Sequence, residues 1–444
     1  MTPISRPAPR AARSQPLKPL RGQLITPGDK SVSHRALILG ALANGTTRIS
    51  GLLESDDVLA TAEAVSRLGA SVVQAGPGNW TVTGRGGRFR SPDTPLDFGN
   101  SGTGVRLMMG AVAGAGASAH FIGDSSLSSR PMGRVTEPLM QMGADITANG
   151  GRLPVQLNAS ILNAIDYRPP VASAQVKSAI LLAALGASGE TIVREDHATR
   201  DHTETMLKLF GAGLTVEPEG GARIIRLGGP QGLTACDVDV PGDPSSAAFA
   251  TIAALIIPGS DLTLTRVMTN PARTGLYEAL SRMGADLSFT PAGQASGEHI
   301  ADLRVRASQL SAIDLEADIA PSMIDEYPVL AVACAFAKGT SRLRGLAELR
   351  AKESDRLAAT CAMLTANGAA ARIDGDDLVI TGGVVSGGGE VITRGDHRMA
   401  MSALVLGMAA RGGAAVDDIT MIATSYPAFM DDMSALGARL EVGQ

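Results

Sequence analysis

Aromatic residues are scarce in this chain, 3% of 444 residues with a single tryptophan, too few for the stacking platforms that grip single-stranded nucleic acid. Positive charge is not in excess either. The 39 Lys and Arg against 44 Asp and Glu leave a net charge of −5, the wrong sign for coating a polyanion. No apolar run approaches the ~20 residues of a membrane span; the longest lie around Ala247 to Ile257 and Val329 to Ala337. Three cysteines, Cys236, Cys334 and Cys361, share no short spacing, which argues against a disulfide framework or zinc knuckle and places the chain in a reducing, cytoplasmic compartment. Six histidines without ligand spacing predict no metal site. The expected partners are therefore small molecules, with neither nucleic acid nor membrane among them, and any anion must be held locally.

Glycine is abundant, at 52 residues, and part of it is periodic. A Gly-Ala followed one residue later by an aliphatic recurs at Gly69, Gly143, Gly211, Gly284, Gly368 and Gly437. Each glycine ends a stretch of helical periodicity, where a left-handed cap favours a residue without a β-carbon. A β-prone run precedes each helix: 47–49, 119–121, 191–193, 262–264, 341–343 and 415–416. Six strand-loop-helix-cap-strand units predict an α/β fold of α+β-type repeats. Turn residues in series at Val240-Pro241-Gly242-Asp243-Pro244 divide the repeats three and three. The expectation is two similar lobes, 28–243 and 244–444 with 1–27 joined to the latter, and a cleft between them. Residues 1–20 hold five prolines and no acid, which predicts a mostly disordered lead-in.

Charge gathers in six short segments. Lys30, Ser31 and Arg35 stand at a helix start, where free N–H groups favour an anion; Asp29 before the lysine excludes a P-loop, and a capped, solvated helix start is the plainer reading. Gly99 to Arg106 is a small-residue loop that lets backbone approach a ligand, or an ordinary glycine turn. Arg130 precedes Pro131, a residue suited to a first helical turn. Ser173-Ala174-Gln175-Val176-Lys177-Ser178 leads into an apolar run, and Arg200 follows in the next loop. Asp325 and Glu326 precede another apolar run, either as an N-cap pair or as partly desolvated carboxylates of raised pKa. Lys352 and Arg356, four apart on one helix face, need an acid or anion between them. Asp396-His397-Arg398 opens a further helix, with His397 in a structural or orienting role. Cations converging from two lobes suit a phosphate ester and a small carboxylate, bound by guanidinium forks.

In this order the segments closely resemble the 5-enolpyruvylshikimate-3-phosphate synthases, over about residues 17–440. The resemblance implies two lobes, each of three βαβαββ-like units with helix N-termini facing the interlobe cleft. It implies transfer of the enolpyruvyl group of phosphoenolpyruvate to the 5-hydroxyl of shikimate 3-phosphate, with release of phosphate and no cofactor, by a monomer. Lys30, Ser31, Arg35, Ser173, Ala174, Gln175, Arg200, Asp325 and Lys352 match the family's shikimate 3-phosphate site. Lys30, Gly102, Arg130, Gln175, Arg356 and Arg398 match its phosphoenolpyruvate site. Asp325 matches the acceptor of the hydroxyl proton, and Glu353 the acid that protonates the methylene carbon; Lys30 joins them as a catalytic residue.

One branch of the family has Lys, Asn and Pro where this chain has Thr424, Glu348 and Leu107, so the chain resembles the second, more divergent bacterial branch. Gly102 stands where tolerant members can carry Ala, which implies that glyphosate still fits as an inhibitor. Two alternatives fit the residues less well. The sister transferase acting on UDP-N-acetylglucosamine carries a Cys in the loop that here reads Asp124 to Arg130 without one. A noncatalytic sugar-phosphate-binding protein would not need both Asp325 and Glu353.

Overall fold

The computed structural model describes residues 8–16 and 18–443. Six four-stranded sheets are formed, all with the same plan. In one of them the edge strand Asp166–Tyr167 runs parallel to Gly189–Glu195, which pairs antiparallel with Ala222–Gly229, which pairs antiparallel with Leu214–Glu219. The helix Ala174–Ala184 makes the parallel crossover and His202–Leu209 follows the second strand, so the order is βαβαββ. A parallel pair demands such a crossover, whereas the last two strands need only a tight turn. All six repeat glycines have positive φ, from 80° at Gly368 to 106° at Gly437, and each lies between a helix and the strand that follows it.

The residues divide into two compact units. A central unit comprises Gly28–Pro241 with Gln294–Glu298; a terminal unit comprises the chain up to Pro27, Gly242–Gly293 and the chain from His299 onward. Each holds three sheets. The central unit closes on itself, because its last strand, Val238–Asp239, is the parallel edge partner of its first, Thr46–Ser50. In the terminal unit the N-terminal segment supplies two strands. Arg21–Ile25 lies parallel to Asp261–Met268, and Ala12–Gln15 sits between Ala414–Val416 and Arg439–Val442.

That last pairing corrects the expectation of a disordered lead-in for Ala12–Gln15; residues 1–7 and 17 lie outside the described residues. A strand flanked on both sides has its backbone groups satisfied by the ladder and needs little apolar side chain. Ala12 and Ser14 turn inward while Arg13 stays exposed.

Within each unit three helices form the core. Lys30–Leu42, Gly102–Gly114 and Ala174–Ala184 do so in the central unit, and Pro244–Ile256, Tyr327–Phe336 and His397–Ala409 in the terminal one, nearly every residue being buried. Helices apolar on all faces belong inside. Their close packing depends on glycine: a Cβ at Gly110 would collide with the Ala179 carbonyl, and one at Gly114 would lie 2.7 Å from the Leu182 oxygen. No helix among the described residues is long and apolar enough to cross a membrane.

Candidate active site

In the central unit all three core helices start with a side-chain cap. Asp29 Oδ1 accepts from the Val32 N–H at 2.8 Å, Ser101 Oγ from Gly104 at 3.2 Å and Ser173 Oγ from Val176 at 3.4 Å. The three N-termini are tied together. Arg35, buried, donates from Nε to Thr203 Oγ1 at 2.7 Å, from Nη1 to the Ser31 carbonyl at 2.9 Å and from Nη2 to Ser178 Oγ at 2.7 Å. Gln175 Nε2 donates to Thr103 Oγ1 at 2.9 Å, and Gln175 Oε1 accepts from Arg106 Nη1 at 2.8 Å. One end of the unit therefore gathers three positive helix poles, a setting suited to anions.

Cations stand beside these poles. Lys30, the first residue of its helix, pairs with Asp57 Oδ2 at 2.9 Å. Arg130 is buried and donates from Nη2 to Asn100 Oδ1 at 2.5 Å and to Ser126 Oγ at 3.2 Å. The next helix begins at Gly133, so Pro131 lies ahead of it and not in its first turn. A Cβ on Gly102 would lie 3.0 Å from Arg130 Nη1 and 3.1 Å from Arg106 Nη1; the missing side chain leaves both guanidinium groups room. The Ala174 carbonyl accepts from Ser178 Oγ at 2.6 Å. Arg200 is half-buried in the loop before His202–Leu209. His34 is fully buried with Nδ1 on Thr61 Oγ1 at 2.8 Å. Burial, and then the charges of Lys30 and Arg35, hold its pKa well below the usual value, so it adds no charge at neutral pH.

The terminal unit gathers the carboxylates around Arg356. This guanidinium donates from Nε to Asp396 Oδ2 at 2.8 Å and from Nη1 to Asp325 Oδ1 at 3.2 Å, and pairs through Nη2 with Glu353 Oε2 at 2.5 Å. Burial opposes its charge, yet Asp396, Glu353 and Asp325 outweigh burial and raise its pKa. Lys352 Nζ is 3.4 Å from Asp325 Oδ1, so Asp325 is the acid between the two cations. The expected shared helix face is corrected: Asp355 caps the helix by accepting from the Ala358 N–H at 3.0 Å, the helix starts at Arg356, and Lys352 is extended. Arg398 donates to the Asp325 carbonyl at 3.1 Å and to Glu326 Oε1 at 3.4 Å. Glu326 also accepts from Ser245 Oγ, while its Oε2 is buried with no hydrogen-bond partner among the described residues. Neither acid caps the helix through its side chain: Glu326, at the N-cap position, makes no cap bond.

Asp325, Lys352, Glu353, Arg356 and Arg398 are thus one cluster; Gly102, Arg130 and Gln175 adjoin through Arg106, Lys30 bonds Asp57, and Ser31 bonds Arg35. The two sets belong to separate units. Arg106, Asp57 and Asp396 join the site without a distinguishing sequence signal, since their positions in a loop-to-helix run and at helix starts resemble ordinary caps. Asp201, His202 and Glu298 also come together. His202 Nδ1 is 2.7 Å from Glu298 Oε1 and Arg223 Nη2 is 3.3 Å from Asp201 Oδ2, so hydrogen bonds and ion pairs already engage these groups.

Known proteins are similar to this chain over nearly its whole length. The family described as EPSP synthase (3-phosphoshikimate 1-carboxyvinyltransferase) matches residues 14–433. A 3-phosphoshikimate 1-carboxyvinyltransferase of Maricaulis maris is 59% identical, with 99% of each chain covered, and one of Afipia carboxidovorans is 57% identical over the same shares. A solved structure of EPSP synthase from Acinetobacter baumannii superposes with a TM-score of 0.87 at 40% identity, covering 98% of this chain and 100% of that one. In sequence and in fold, over nearly its whole length, the chain belongs to the EPSP synthase family and carries 3-phosphoshikimate 1-carboxyvinyltransferase activity, a transferase step of the shikimate pathway to the aromatic amino acids.

Proposed function

We propose that the two helix-terminal sets act together on one pair of substrates. Lys30, Ser31, Arg35, Ser173, Ala174, Gln175, Arg200 and Lys352 hold shikimate 3-phosphate; Lys30, Gly102, Arg130, Gln175, Arg356 and Arg398 hold phosphoenolpyruvate. The observation that carries this reading is Arg356, a buried guanidinium touching both Asp325 and Glu353. A phosphoenolpyruvate carboxylate drawn to that cation comes to rest between two acids of opposite task. Asp325 takes the 5-hydroxyl proton as the oxygen bonds to the central carbon of phosphoenolpyruvate, and Glu353 gives a proton to the methylene carbon. The tetrahedral adduct then loses phosphate as Glu353 takes the proton back, restoring the double bond. Positive helix poles with Lys30 and Arg130 stabilise charge on the departing phosphate. All assigned residues come from one chain, so the protein acts as a monomer.

Thr424, Glu348 and Leu107 support membership of the second bacterial branch. Thr424 is buried and donates to the Met421 carbonyl at 2.7 Å, so in that loop no lysine serves phosphoenolpyruvate, and Arg356 and Arg398 carry the task. Asp325→Asn and Glu353→Gln are each expected to lower kcat by about 10²–10⁴, with calorimetric binding of shikimate 3-phosphate little changed. Loss of that binding with turnover intact would sink the assignment of both acids.

A further inference from the structure

Lys177 is a fully buried cation for which the chemistry above has no task. It projects from the first turns of Ala174–Ala184, the helix that carries Gln175. Its ammonium donates to Glu195 Oε2 at 3.0 Å and to the Thr199 carbonyl at 3.5 Å, and pairs with Glu204 Oε1 at 2.8 Å. Glu195 ends the strand Gly189–Glu195, Thr199 sits in the connecting loop, and Glu204 lies in the first turn of His202–Leu209. Three points along 195–204 are thereby pinned to one atom. Glu195 adds a bond from Thr199 Oγ1, and Arg223 bonds Asp201 Oδ2 at 3.3 Å. Burial raises the Glu195 pKa and the Lys177 charge works against that rise.

We propose that Lys177 is a positioning residue for shikimate 3-phosphate: it fixes the loop 196–201 against the N-terminus of the Gln175 helix and so presets Arg200 for the substrate's phosphate. A buried ion pair is a poor source of net stability but a good source of defined geometry. Arg200 follows Thr199 directly and has only to keep the direction the pinned backbone gives it. A preset cation binds without the entropic cost of ordering its loop. This inference rests on the assignment of Arg200 made above.

The test is steady-state kinetics on the full chain, each substrate varied with the other saturating. Lys177→Met is expected to raise KM for shikimate 3-phosphate about ten- to hundredfold, as does Arg200→Ala, while kcat and KM for phosphoenolpyruvate stay within about twofold. Should Lys177→Met fail to fold, Glu195→Gln decides by the same criteria, since it loosens the loop but leaves Lys177 paired with Glu204. An unchanged KM beside a raised one in Arg200→Ala overturns the positioning role and leaves the substrate assignment standing. An unchanged KM in Arg200→Ala overturns the assignment, and the positioning role with it. A fall in kcat without a change in KM also overturns the positioning role.

Discussion

At Gly102 a single hydrogen separates two guanidinium groups from a collision. A methyl there would lie 3.0 Å from Arg130 Nη1 and 3.1 Å from Arg106 Nη1, so one or both must give way by a few tenths of an ångström. Glyphosate spans one more atom between its carboxylate and its phosphono group than phosphoenolpyruvate does between carboxylate and phosphate, and has less slack to absorb the shift. Gly102→Ala is therefore expected to raise the inhibition constant of glyphosate by more than it raises KM for phosphoenolpyruvate. Equal changes in the two constants would reject the steric argument. Residues of this kind were only partly legible in the sequence. That Lys352 and Arg356 need an acid between them follows from their like charge, but that the acid is Asp325, some thirty residues earlier, is visible only in the structure, where it pairs with both. Asp57 and Asp396 were not assigned, since an aspartate at a helix start reads as a cap. Asp396 does cap, accepting from the Arg398 N–H at 3.0 Å, while also holding Arg356.

Helices are the elements on which the site is mounted, and their spacing sets its geometry. Gly102–Gly114 meets Ala174–Ala184 at Gly110 and Gly114, where backbone touches backbone. The same two helices carry Thr103 and Gln175, joined at 2.9 Å. Gly110→Ala must push the helices apart, at a cost of about 1–3 kcal/mol for overpacking, and should lower Tm by several degrees while raising KM for phosphoenolpyruvate. An unchanged Tm would show that the contact has room to spare. The elements were the most legible part of the sequence, because a glycine suited to a left-handed cap after a helix, and a β-prone run before that helix, recur six times along the chain. Element boundaries were less so: the apparent helix start at Lys352 fell to Asp355, a stronger cap.

Across the molecule, the three-and-three division of repeats was readable, but the lending of strands between distant segments was not. Val238–Asp239 and Ala12–Gln15 are too short to show an alternating pattern, and their partners are remote; Arg13 Nη2 donates to the Gly412 carbonyl 399 residues away. One consequence concerns folding. The central unit is almost continuous in the chain, whereas the terminal unit needs both chain ends, so its last sheet closes only after Arg439–Val442 has been made. Ala12–Gln15 is an interior strand of that sheet, and its loss strips ladder partners from two neighbours at once. The sheet in turn backs the helix His397–Ala409, which carries Arg398. Removal of residues 1–16 is expected to speed hydrogen exchange in Ala414–Val416 and Arg439–Val442 and to raise KM for phosphoenolpyruvate through Arg398, with protection across Gly28–Pro241 unchanged. Equal loss of protection in both units would mean that they do not fold as separate bodies. Unchanged exchange at the two flanking strands would mean that the N-terminal strand contributes nothing to the sheet it completes.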